Sequence, residues 1–297
     1  MNVTLQPIEP QEITVPLEDG DMAGLHWRAG GKQPLLFLHA TGFCASVYKQ
    51  MLTHLSGAYD IYALDLRGHG RSALPADPAR LKSWHVYAAD VCAFLDQQGR
   101  EGWVLAGHSM GAATAVMAAR GRADVAALQL IEPVAMPALF SLAARTPFWR
   151  FLAARIPMVS QAARRRNGWP NREAVKASYA RKPIFKSWRP GVLEDYLEGG
   201  LREDGEGVAL ACDPKWEAAT FAAHANDFWA AARVAPAPIS VYAANHPSST
   251  VPAMARRGFR RLGACVTEKS GPTHLAPMEE PAELANFLAG RGEFLSP

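Results

Sequence analysis

The sequence predicts an α/β protein, a mostly parallel, doubly wound sheet flanked by helices, with an inserted and mainly helical cap. Three observations carry that prediction. Short β-rich runs alternate with helical patterns through the first half of the chain, the signature of a sheet covered on both faces. One apolar run passes through a Gly-x-Ser-x-Gly turn directly into an alanine-rich segment. The alternation is then interrupted over residues 134–233 by helical and irregular sequence, and resumes afterwards. The expected organisation is a first core part at 1–133, a cap at 134–233 and a second core part at 234–297.

In order, the β-rich runs begin with Ile13–Leu17 and Leu25–Arg28. Pro34–His39 is continuous and apolar, as a strand buried on both faces must be, and it ends in the loop His39-Ala40-Thr41-Gly42. A helix is expected over Ser46–Leu55, a strand over Asp60–Leu66, and then a polar, glycine-broken turn, Arg67-Gly68-His69-Gly70-Arg71-Ser72. Trp84–Gln98 has helical spacing of Val86, Ala89, Ala93 and Phe94. Trp103–Ala106 is the next strand, Ala127–Ile131 another, and after the interruption Ile239–Ala243 and Ala264–Glu268 follow, with a closing helix over Ala282–Leu288.

Composition excludes several classes. Of the 297 residues, 49% are apolar and 20% charged, and a net charge of +3 is too small for a nucleic-acid binder. Residues 1–20 have neither a basic start nor an apolar run, and no stretch is long and apolar enough to span a bilayer. Cys44, Cys92, Cys212 and Cys265 are widely spaced without a C-x-x-C pair, which points to a reducing, cytoplasmic setting rather than a disulfide framework. Neither H-E-x-x-H nor G-x-G-x-x-G occurs, so no metal or dinucleotide cofactor is expected.

The segment 102–120 is decisive. Gly107-His108-Ser109-Met110-Gly111 stands between a strand and a helix whose residues 112–119 are alanine-rich. In that context the two glycines let strand and helix approach, and the serine is held on a sharp turn with its hydroxyl exposed. The helix behind it supplies free N–H groups and a positive dipole end where negative charge develops. The alternative role for Ser109 is a plain helix N-cap.

These segments resemble the α/β-hydrolase superfamily over most of the chain. His39-Ala40-Thr41-Gly42 looks like its H-G loop, Asp65-Leu66-Arg67-Gly68-His69-Gly70-Arg71-Ser72 like its D-x-R-G-x-G-x-S turn, and Gly107–Gly111 like its nucleophile elbow. Residues 272–281, Pro-Thr-His-Leu-Ala-Pro-Met-Glu-Glu-Pro, resemble the segment around the catalytic histidine. The resemblance implies Ser109 as nucleophile and His274 as its base, in the chain order this fold uses. It further implies an oxyanion hole from the backbone N–H groups of Met110 and Thr41, with Ala40 where the family usually has glycine. His39 and His108 belong to the same loops; each is expected to be structural, with a lesser expectation of contact with substrate.

The third role, a carboxylate to orient the imidazole, departs from the common pattern. Most relatives carry it just after the strand that follows the cap. Here that turn reads Ala244-Asn245-His246-Pro247-Ser248-Ser249-Thr250, and nothing acidic lies between Ile239 and Arg261. Some families of this fold, certain haloalkane dehalogenases among them, place the acid after the strand following the elbow helix, where this chain reads Glu132-Pro133. Both positions are strand carboxyl ends facing one crevice, so Glu132 is the expected acid. The alternative is that Glu132 begins a turn and Asn245 or a backbone carbonyl orients His274.

A serine nucleophile implies acyl transfer to water rather than the ester chemistry of aspartate-dependent relatives. The expected activity is cleavage of a carboxylic ester, lactone or thioester of an apolar or aromatic small molecule. A cofactor-free perhydrolase, a C–C bond hydrolase and a binding protein that lost turnover are alternatives on the same core. Phe43 and the cap aromatics Trp149 and Trp188 are expected at the substrate. The arginines between Phe148 and Arg166 alternate with apolar residues at near-helical spacing, which suggests a helix attracted to an anionic membrane or an anionic substrate.

Overall fold

The computed structural model describes residues 7–290, with the side chain of Arg150 left out of the description. Among the described residues ten strands are present: β1 (Gln11–Leu17), β2 (Gly20–Trp27), β3 (Gln33–Leu38), β4 (Tyr59–Leu64), β5 (Trp103–His108), β6 (Val125–Ile131), β7 (Leu201–Asp204), β8 (Gly207–Leu210), β9 (Ile239–Ala244) and β10 (Cys265–Lys269). Eight of them form one sheet in the order β1-β2-β4-β3-β5-β6-β9-β10. β2 runs antiparallel to both β1 and β4, and the remaining pairs are parallel.

The sequence explains why the central strands sit where they do. Leu35, Leu36, Phe37 and Leu38 of β3 and Leu105 and Ala106 of β5 are fully buried, as strands covered on both faces require. The sidedness is visible in the packing. Leu36, Leu38 and Leu105 join a cluster with Tyr87, Phe94 and the elbow helix Met110–Ala118 on one face. Leu35, Phe37 and Ala106 join Tyr48, Tyr242 and the closing helix Pro281–Leu288 on the other.

The first helix after β3 is shorter than the expected span. A 3₁₀ turn, Ala45–Tyr48, leads into the helix Lys49–Thr53. Between β6 and β9 the chain forms short helices and an antiparallel hairpin, β7–β8, which the mainly helical expectation for this segment omitted. Its signal was present in Asp204-Gly205, a strong turn pair, with Gly205 at φ 60°. The expected continuous helix from Phe148 to Arg166 is also corrected: Trp149–Ala153 and Pro157–Ala163 are separate helices. Pro157 stands at the first position of the second helix, where its missing N–H costs nothing, and it forces Ile156 into extended backbone, φ −67° and ψ 124°.

Candidate active site

Parallel pairing delivers the candidate residues to one edge. Ser109 follows β5, Glu132 follows β6 and His274 follows β10, all at strand carboxyl ends. The ladder continues into the site: the Ser109 amide donates to the Ile131 carbonyl at 2.9 Å, and the Glu132 amide to that of Tyr242 at 2.9 Å.

The elbow needs its glycines. A Cβ on Gly107 would lie 2.6 Å from the Gly111 carbonyl carbon, and one on Gly111 would collide with the carbonyl oxygens of Leu38 and His39. Ser109 itself has φ 57° and ψ −115°, outside the regions an L-residue ordinarily occupies. It is 8% exposed, and its hydroxyl forms no hydrogen bond to a described residue. The crowding at Gly111 also brings the start of the elbow helix against the end of β3. Neither the amide of Met110 nor that of Thr41 donates to a described group.

Glu132 is fully buried with φ 49°. Its Oε2 accepts from His274 Nδ1 at 3.0 Å and from the Thr250 amide at 2.9 Å. Its Oε1 accepts from the Ala244 amide at 2.6 Å and the Ser249 hydroxyl at 2.9 Å. The turn that lacks an acid thus supplies donors to an acid on the neighbouring strand. Ser248 Oγ also accepts from the His274 amide at 3.0 Å. Sequence reasoning overlooked these three hydroxyl residues, although their run directly after β9 was the available signal. Because the facing carboxylate accepts, Nδ1 of His274 carries a proton in this bond.

His39 and His108, for which substrate contact was an expectation, are fully buried and have both ring nitrogens engaged. His39 Nε2 accepts from the Leu66 amide at 2.9 Å, so Nδ1 donates to the Ala40 carbonyl at 2.8 Å. His108 belongs to a directed chain. The Ala40 amide donates to the Tyr48 hydroxyl at 3.0 Å, that hydroxyl donates to His108 Nδ1 at 2.8 Å, and His108 Nε2 donates to the His274 carbonyl at 2.8 Å. The chain needs His108 neutral, and burial holds its pKa well below the ordinary histidine range. It joins the loop before Thr41, the residue before Ser109 and the backbone of His274 in one unit.

Phe43 and Trp188 do come together, with ring centroids 5.9 Å apart, and Tyr196 packs on Phe43 at 5.6 Å. Phe185 closes the same wall, 4.7 Å from Trp188. Trp149 is placed in a different cluster, donating to the Ala222 carbonyl at 2.7 Å and packing on Phe140 and His224. Arg165, one of the arginines between Phe148 and Arg166, binds both carboxylate oxygens of Glu217 at 2.6 Å and the Tyr179 hydroxyl at 2.9 Å. This pair stands over Gly42, where a Cβ would collide with Glu217 Oε1.

A sheet of this order with an elbow serine and a carboxylate–imidazole pair at its carboxyl edge defines an α/β-hydrolase. The chain belongs to the alpha/beta hydrolase family, whose model matches residues 35–287. Among curated relatives it is similar to a 2-(acetamidomethylene)succinate hydrolase of Mesorhizobium japonicum, 29% identical over 192 residues, 63% of this chain and 64% of the relative. It is similar also to lipase LipV of Mycobacterium tuberculosis, 36% identical over 106 residues, 35% of this chain and 38% of that one. The match to the acetyltransferase component of an acetoin cleaving system of Cupriavidus necator, 33% identical over 108 residues, covers 36% of this chain and 28% of the relative. The chain therefore matches less than two thirds of the length of these relatives. A solved E-2-(acetamidomethylene)succinate hydrolase superposes with a TM-score of 0.76 at 20% identity, covering 95% of this chain and 98% of that one. At that identity the likeness speaks for the fold.

Proposed function

We propose that the protein is a serine hydrolase that cleaves a carboxylic ester, lactone or thioester of an apolar or aromatic small molecule through an acyl-enzyme. The observation that carries this reading is the bond from His274 Nδ1 to Glu132 Oε2 at 3.0 Å, with the serine at φ 57° directly following His108, whose Nε2 bonds the His274 carbonyl at 2.8 Å. With Nδ1 committed, Nε2 of His274 takes the Ser109 proton as Oγ attacks the substrate carbonyl. The amides of Met110 and Thr41 receive the oxyanion, His274 returns the proton to the leaving group, and water then repeats the cycle on the acyl-enzyme. The wall of Phe43, Phe185, Trp188 and Tyr196 suits an apolar or aromatic acyl group. The bond between Glu132, at the end of β6 beside β9, and His274 supports an enzyme over a binding protein on the same core.

The test is hydrolysis of a short p-nitrophenyl ester by the wild type and by Ser109→Ala, with mass spectrometry of the quenched enzyme. An acylated wild type and an inert variant support the proposal. Equal activity in both, or no turnover of any ester, lactone or thioester, overturns it.

A further inference from the structure

Two short cap helices turn apolar side chains outward. Leu139 and Leu142, one turn apart on the helix Ala138–Ala143, are 80% and 60% exposed. Phe148, Phe151 and Leu152, at the start of and along the helix Trp149–Ala153, are 74%, 58% and 51% exposed. The inward side of the same segment is already occupied. Phe140 and Trp149 pack on each other and on His224, and Ala144 and Ala153 are buried. The outward residues therefore do not belong to the core of this chain, and so many large apolar groups within one short segment mark an interaction face.

The charge carried by this segment has one sign. From Val134 to Arg172 the sequence contains arginines and no aspartate or glutamate. Arg145, Arg155, Arg164 and Arg166 are exposed, and among the described residues none of them pairs with a carboxylate. A second copy of the chain docked face to face across a twofold axis would set arginine against arginine. An anionic lipid surface accepts both parts, burying leucine and phenylalanine at the headgroup boundary while the guanidinium groups meet phosphates. No helix among the described residues is long and apolar enough to cross a membrane, so the contact is peripheral.

We infer that the cap segment containing Leu139, Leu142, Phe148, Phe151 and Leu152, ringed by Arg145 and Arg155, docks the protein on an anionic lipid bilayer. The expected helix at Phe148–Arg166 is thus replaced as the docking element. Its second half, Pro157–Ala163, buries Val159 and Ala162 against Ala218 of the helix Pro214–Ala222, and the outward apolar residues lie mainly before it. The inference does not depend on the hydrolase activity.

Sedimentation of the full chain with phosphatidylcholine vesicles, with and without phosphatidylglycerol, tests it. The wild type is expected to bind only the anionic vesicles, and less as salt rises. Arg145→Gln with Arg155→Gln should weaken binding about thirtyfold, and Phe148→Ser with Phe151→Ser should weaken it at least as much, both with unchanged far-ultraviolet dichroism and melting temperature. Absence of binding at low salt, binding indifferent to lipid charge, or binding unaltered in both folded variants overturns the inference. So does a dimer of the wild type that the phenylalanine variant makes monomeric, since the face would then belong to a second copy. If either variant fails to fold, charge reversal at Arg145 alone, which is exposed and unpaired with any described carboxylate, gives the same readout.

Discussion

Ser109 and Glu132 share a backbone peculiarity: at φ 57° and 49° they are the non-glycine residues with positive φ among the described residues. Each caps a parallel strand, and each is pinned by a hydrogen bond from its backbone N–H to a carbonyl of the neighbouring strand. Strain of this kind costs on the order of 1–3 kcal/mol and persists where surrounding structure over-determines it. Ser109→Gly is therefore expected to raise the unfolding free energy by about 1 kcal/mol while abolishing ester hydrolysis. Chemical denaturation and a p-nitrophenyl ester assay on one preparation check both halves. A variant less stable than the wild type would contradict the strain at Ser109.

Glu132→Gln should lower turnover by roughly 10³ to 10⁴-fold, because the amide no longer fixes the tautomer or supports the imidazolium. It should also destabilise the fold by about 1–3 kcal/mol. All the bonds to the carboxylate come from donors, including the Ala244 and Thr250 amides on opposite oxygens. A glutamine must therefore point its own NH₂ at one of them. Near-normal kinetics with this variant would remove Glu132 from the mechanism.

Tyr48→Phe cuts the hydrogen-bonded chain in the middle, leaving the Ala40 amide without its acceptor and His108 Nδ1 without its donor. The expected result is a loss of about 1–3 kcal/mol of stability and a fall in kcat of about tenfold, with KM little changed, because the loop and His274 lose their common anchor. Steady-state kinetics and melting curves separate the two effects. A change confined to KM would show that Tyr48 acts on substrate instead.

Acid should destabilise the protein well before its surface carboxylates titrate. Burial lowers His69 and His224 from 6.5 to about 4, and holds His39 and His108 well below the ordinary range. In each case the unfolded chain takes the proton first, so stability present above the unfolded value is lost as pH falls toward the folded one. Asp65 and Asp195, both raised by burial to about 6, work in the opposite direction over the same range. Between about pH 7.5 and pH 5, His69 and His224 each remove roughly 2 kcal/mol, His39 and His108 act in the same direction, and each aspartate restores roughly 1 kcal/mol. Urea midpoints should therefore fall across that interval. A flat or rising profile would mean that these histidines are not held neutral by burial.

Glu217→Ala leaves the Arg165 guanidinium beneath the cap without its carboxylate, directly over Gly42. A loss of about 1–3 kcal/mol is expected, because the guanidinium left behind is partly exposed. Arg165→Met with Glu217→Leu, which removes both charges, should recover much of it in thermal melts.

The parts that the sequence by itself determined are those encoded in local backbone demands. A glycine on each side of His108-Ser109-Met110, between an apolar run and an alanine-rich helix, allows few conformations, and the alternation of runs implied parallel strands whose ends share an edge. His274 was legible because its flanking prolines and its place near the chain end matched that plan. Glu132 was reached only through the absence of an acid after Ala243, and sequence did not reveal Ser248, Ser249 and Thr250 as its supports. Tertiary structure decided those partnerships, because β9 lies beside β6 in the sheet while their residues stand far apart in the chain. It also decided which polar groups are inside: His39 and His108 look like site residues in sequence but are buried with satisfied hydrogen bonds, and Arg165 is tied to the buried carboxylate of Glu217. The cap was least legible, since its short helices choose their inward face by what the core offers, and hydrophobic spacing alone did not say that Phe140 and Trp149 turn in while Phe148 and Phe151 turn out.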